Sequence, residues 1–171
     1  PAAPPPTVPA ATPSREDLLA TALPAVVLVE TSSGRGSAFF VDRDRLITNH
    51  HVVVGQSYVK LRLADSRTLD ARILATAPDF DLALLALMQP GPDPPFLPLG
   101  TVEDVRQGQE VLAIGTPLGV FQNTVTRGIV SAKGRGSLGL YANSYIDFLQ
   151  TDASIAPGSS GGPPFNMNGE V

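Results

Sequence analysis

Cysteine is absent from the 171 residues, which removes disulfide frameworks, zinc fingers, thiol nucleophiles and iron–sulfur sites together. The absence does not assign a compartment: a chain of this length buries roughly 70% of the surface its unfolded form exposes and needs no covalent staple. Lysine is scarce, with only Lys60 and Lys133 present. Lys and Arg number 12 against 16 Asp and Glu, a net charge of −4 with a pI near 5.0. No basic face is available to displace counterions from phosphate, so nucleic acid is not an expected partner. The longest apolar run, residues 82–88 (LALLALM), falls far short of the roughly 18 residues of a membrane span. Histidine occurs twice, at the neighbours His50 and His51, so any chemistry that needs a histidine base must draw on this pair.

Proline (17) and glycine (16) are plentiful, as expected of many short strands joined by turns. Residues 1–13 read PAAPPPTVPAATP, with six prolines and no charge. Residues 1–14 are therefore expected to be a Pro/Ala-rich tether, and they lack the charged and apolar regions of an intact signal peptide. Ser14 opens S-R-E-D, a capping-box spacing that predicts a short helix ending before Pro24. Strand patterns follow at 25–30, 37–42, 45–49, 58–63, 68–76 and 81–87. YVKLRL (58–63) alternates cleanly, with Val59, Leu61 and Leu63 on one face. QPGPDPP (89–95) interrupts the series, and a second set follows at 110–115, 124–132, 144–150 and 163–165. The expected fold class is all-β: two antiparallel β-barrels in one domain over 15–171. The first barrel covers about 25–88, the connection 89–95, and the second barrel about 96–171.

Three segments carry candidate chemistry. GRGSLG (134–139) matches G-x-G-x-x-G, but a dinucleotide loop must open a helix, and LYANSYIDF has no helical period. It reads as a glycine-rich loop, and no cofactor is expected. The His50-His51 pair has no H-E-x-x-H spacing and no third ligand, so no metal site is expected; on an extended strand the two rings would point to opposite sides. GSSGG (158–162) lies between strand patterns, where a flexible linker has little place, whereas glycines there let backbone amides converge beside an exposed hydroxyl. In chain order, TNHHV, PDFDLALL and GSSGG supply His, Asp and Ser, the types that nucleophilic acyl transfer requires.

On the segments GRGSAFF, LITNHHVV, DFDLALL, VRQGQEVLAIGTPLG, NTVTRGIVSA and FLQTDASIAPGSSGGP, residues 25–171 resemble the HtrA (DegP-like) family of trypsin-fold serine proteases. The resemblance implies that His51 is the catalytic base, Asp81 rather than Asp79 its carboxylate, and Ser160 rather than Ser159 the nucleophile, with the amides of Gly158 and Ser160 forming the oxyanion hole. It further implies ATP-independent quality control of unfolded polypeptides, a homotrimer, and a periplasmic or otherwise exported location. Ser159 stands where the family usually has Asn, Ala38 where Gly is usual, and Pro164 where an aliphatic residue is usual. Ser159 offers no charge to pair with a freed N-terminal amine, so no zymogen cleavage is expected. Asn166-Met167-Asn168-Gly169 is a tight-turn signature, and only Glu170 and Val171 follow it. The second barrel is therefore expected to be incomplete at its C-terminal end, with no PDZ domain in the sequence. The alternative from another class is a polypeptide-binding module that does not cleave.

Overall fold

The computed structural model describes residues 14–89, 91, 93–116, 123–134 and 148–171. The tether at 1–13 lies outside them, as do 135–139 of the glycine-rich loop and 144–147 of the strand expected at 144–150. The capping box forms as the spacing predicts: Ser14 Oγ accepts from the Asp17 amide at 3.1 Å, and the Asp17 carboxylate accepts from the Ser14 amide at 3.2 Å. It starts helix α1, Arg15–Ala22, which gives way at Pro24 to the 3₁₀ turn Leu23–Ala25. Arg15 reaches Glu110 at 2.7 Å, tying the helix to the second half of the chain.

Six strands follow: β1 (Val26–Glu30), β2 (Arg35–Phe40), β3 (Arg45–Asn49), β4 (Tyr58–Arg62), β5 (Thr68–Ala77) and β6 (Leu82–Leu87). They close into an antiparallel barrel in the order β1-β2-β3-β6-β5-β4. β2 starts earlier and ends earlier than its apolar run suggests, because Val41 and Asp42 donate to the Arg45 carbonyl and turn the chain into β3. Inward residues fill the barrel: Val27, Val29, Phe40, Leu46, Leu61 and Leu85 are fully enclosed. β5 shifts register between Ile73 and Ala75, leaving Leu74 exposed on the outside.

The second half contributes β7 (Glu110–Gly115), β8 (Thr124–Ala132), β9 (Gln150–Thr151) and β10 (Pro164–Asn166). Among the described residues they form a four-stranded sheet in the order β10-β7-β8-β9. Asn166 holds the turn after β10 with its own side chain, accepting from the amides of Asn168 and Glu170, and Gly169 supplies the positive φ of 81°. A second core joins the halves: Val26 and Phe39 of the barrel pack with Ala22, Leu112, Ile114 and Phe165. The all-β class is what the strand patterns lead one to expect, with the first of the two expected barrels closed and a partial second sheet among the described residues.

Candidate active site

His50 and His51 do not extend β3 on opposite faces, as the sequence suggests. They begin a one-turn helix, α2 (His50–Val53), because the barrel end is pulled tight around Asp81. The chain reaches Asp81 through the 3₁₀ turn Pro78–Phe80, and Asp81 takes φ 52°. This left-handed conformation is one that Asp tolerates better than most residues, and β6 begins only at the next residue. Asp79 lies exposed within that turn.

The bend presents every acceptor of Asp81 to α2. Its carbonyl accepts from the His50 amide at 3.0 Å and from Asn49 Nδ2 at 2.9 Å. Its carboxylate accepts from the His51 amide through Oδ1 at 2.9 Å and meets His51 Nδ1 through Oδ2 at 2.7 Å. A neutral His51 that donates from Nδ1 carries its free lone pair on Nε2, the atom a general base uses. The two histidines are thereby distinguished: His51 is half exposed with its ring bonded to Asp81, whereas Nδ1 of His50 is buried without a partner among the described residues.

The GSSGG loop is packed onto this end of the barrel. Gly161 has φ 85°, and a Cβ there would collide with the Ser37 carbonyl and Thr48 Oγ1 and come within 3.2 Å of the Asn49 amide. The position accepts only glycine, and the close approach brings the loop carrying Ser160 against β2 and the end of β3. Ser37 N donates to the Ser160 carbonyl at 2.7 Å. A Cβ at Gly36 would lie 2.7 Å from Val52 of α2 and 3.1 Å from the Ser160 carbonyl, so both crowd the same glycine. Among the described residues no hydrogen bond joins the Ser160 hydroxyl to His51; such contacts often tighten only when substrate binds.

Ser159 faces the other way. Its Oγ lies over Gly115 of β7, 2.5 Å from where a Cβ would sit. The Ser159 amide donates to Ala156 at 3.0 Å and its carbonyl accepts from Gly162 at 2.8 Å, closing the loop on itself. The first of these bonds spans a turn with Pro157 second and Gly158, at φ 96°, third, as a type II turn requires. Among the described residues the amides of Gly158 and Ser160 donate to no protein group. Beside the loop opens a cavity of about 220 Å³, with Ile114, Thr126, Ala153, Ile155 and Ser159 in its wall; its lining suits an uncharged side chain. Asn49, which grips the Asp81 carbonyl, is a site residue that reading the sequence did not single out.

Comparison with known proteins agrees with this arrangement. The trypsin-like peptidase domain family matches residues 36–171. The chain is 47% identical over 137 residues to a probable periplasmic serine endoprotease, DegP-like, of Pseudomonas fluorescens strain Pf-5, covering 80% of this chain and 28% of that protein. It is 45% identical over 140 residues to the protein of the same description from Marinomonas sp. strain MWYL1, covering 81% and 29%. The chain thus spans under a third of the length of these curated relatives. Among solved structures it is similar to the HtrA-type protease AlgW with tripeptide (39% identity, TM-score 0.83, 93% of this chain and 52% of that one). It is similar also to Deg5 (34% identity, TM-score 0.78, 91% of this chain and 80% of that one). With a closed barrel, a family match over 36–171 and these relatives, the chain belongs to the trypsin-like serine peptidases, in the HtrA (DegP-like) branch.

Proposed function

We propose that the protein is a serine endopeptidase that cleaves unfolded polypeptides without ATP, using Ser160 as nucleophile, His51 as general base and Asp81 as the carboxylate that orients it. The observation that carries this reading is the double hold of Asp81 on His51, through ring and amide, at 2.7 and 2.9 Å. Ser160 Oγ attacks the carbonyl carbon of the scissile peptide and passes its proton to His51 Nε2. The carbonyl oxygen, now negative, is received by the amides of Gly158 and Ser160. His51 returns the proton to the departing amine, then activates a water that releases the acyl group from Ser160. Asp81 keeps the imidazole in one tautomer and stabilises its cation without taking the proton. The mechanism requires no cofactor.

An exported location is supported by the relatives, which are named periplasmic serine endoproteases, whereas the role in protein quality control and the homotrimer rest on the resemblance to the HtrA family alone. Among the described residues no helix is long and apolar enough to cross a membrane. The direct test is to incubate the protein with one substrate in folded and in permanently unfolded form, with and without ATP. Cleavage of the unfolded form alone, indifferent to ATP and abolished by Ser160→Ala, is expected. Binding of the unfolded form without cleavage, unchanged by Ser160→Ala, would mean a polypeptide-holding module instead.

A further inference from the structure

Three polar residues are buried among those described, Ser37, Thr48 and Thr116, and one hydrogen-bonded chain contains all three. Thr48 Oγ1 donates to the Ser37 carbonyl at 2.7 Å. The Ser37 amide donates to the Ser160 carbonyl at 2.7 Å. Ser37 Oγ donates to the Gly158 carbonyl at 2.8 Å, accepts from the Thr116 amide at 3.0 Å and lies 2.8 Å from Thr116 Oγ1. A serine hydroxyl has one proton and two lone pairs. With its proton given to Gly158, Ser37 accepts from Thr116 Oγ1 at 2.8 Å, the shorter of two contacts open to the threonine proton, since the Gly36 carbonyl lies at 3.4 Å. Buried hydroxyls destabilise a core unless satisfied, and here every one is.

From this we propose that Ser37 is a positioning residue, holding the turn that carries the oxyanion amides across the junction of the two halves. The inference rests on the assignment of Ser160 as nucleophile and of the Gly158 and Ser160 amides as the oxyanion donors. One residue of β2 pins the carbonyls of residues 158 and 160, on either side of Ser159. Gly158 is the member of that turn with the widest backbone freedom, at φ 96°. Pro157 restricts the chain on one side of it; the grip of Ser37 on its carbonyl restricts the other. The carbonyl that Ser37 grips is coplanar with the Ser159 amide, which donates to Ala156 at 3.0 Å. The peptide that follows Gly158 is thus held from both ends, and the turn that presents the Gly158 amide is anchored without help from any charge in the loop. Ser159 carries none, and the neutral Ser37–Thr116 pair performs the ordering that a buried ion pair could otherwise supply. Pre-aimed donors are what make an oxyanion hole effective, and deleting one donor costs on the order of 10²–10³ in rate.

The test compares second-order rates of modification by a fluorophosphonate in the unaltered protein, Ser37→Ala, Thr116→Val and Thr116→Ser, together with hydrogen exchange of the Ser159 amide. Ser37→Ala is expected to slow modification about 10- to 100-fold, below the loss of a donor itself, and to speed exchange at Ser159. Thr116→Val keeps the side-chain shape but loses the proton given to Ser37, and is expected to slow the reaction about threefold to tenfold, while Thr116→Ser keeps most of the rate. A Ser37→Ala protein with rate and Ser159 exchange within twofold of the original would overturn the proposal. So would a Thr116→Ser protein as slow as Thr116→Val, which would assign the effect to packing. If Ser37→Ala fails to fold, the Thr116 pair decides. An unaltered protein that takes no label would sink the assignment of Ser160, and the exchange at Ser159 would still judge the clamp.

Discussion

At the scale of the residue, Asp81 is held at its carbonyl by Asn49 and His50 and at its carboxylate by His51. Replacing it with Asn should leave this backbone geometry intact while allowing the wrong imidazole tautomer. Turnover is expected to fall on the order of 10⁴-fold with the fold retained. A fall of less than tenfold, measured with unchanged circular dichroism, would mean the wrong acid has been assigned. Gly161 is the complementary case, where geometry and not chemistry decides. Gly161→Ala forces a side chain onto the Ser37 carbonyl at φ 85°, and is expected to destabilise the protein by about 3 kcal/mol or more. A denaturant midpoint close to the original would show that the loop packs elsewhere. Ser160, His51 and Asp81 stand in short motifs that advertise them in the sequence. Asn49, Ser37 and Thr116 do not, since a small polar residue in or beside a strand looks like any other and their partners lie up to 121 residues away.

At the scale of the element, local rules were most readable where they act over a few residues. The capping box of Ser14 and Asp17 predicts α1, and the structure forms it with both reciprocal bonds. Ser14→Ala should therefore cost about 1 kcal/mol, seen as a lower melting temperature; no change would mean that the Arg15–Glu110 contact and the Leu19 and Leu23 packing hold the helix unaided. β3, β7 and β8 coincide with their apolar runs. The one-turn helix at His50 was not readable, because four residues are too few to express a period and the cause is the left-handed Asp81, 30 residues on. The bulge in β5 was hidden for a similar reason: it is a shift in pairing against β6, between Ile73 and Ala75, and leaves no mark on the local pattern.

At the scale of the whole molecule, the halves are joined by the apolar core around Phe39, Leu112 and Phe165 and by the polar chain through Ser37. The candidate site is built where these meet, so a change in either half reaches the GSSGG loop. Strand order and the crossing from barrel to open sheet depend on contacts between distant segments, which the alternating patterns implied as a class without giving the pairings. Assembly belongs at this scale too. If the homotrimer holds, small-angle scattering should return three times the 17.8 kDa of the chain, and a mass of one chain would remove the trimer while leaving the site untouched.

The central claim is that Ser160, and not its neighbour Ser159, is the nucleophile activated by His51. The most direct measurement is intact mass after exposure to a fluorophosphonate, followed by peptide mapping of the label, beside Ser160→Ala and Ser159→Ala. A single adduct on Ser160 that persists in Ser159→Ala and vanishes in Ser160→Ala is the predicted result. A label on Ser159, or none on the folded protein, would contradict it.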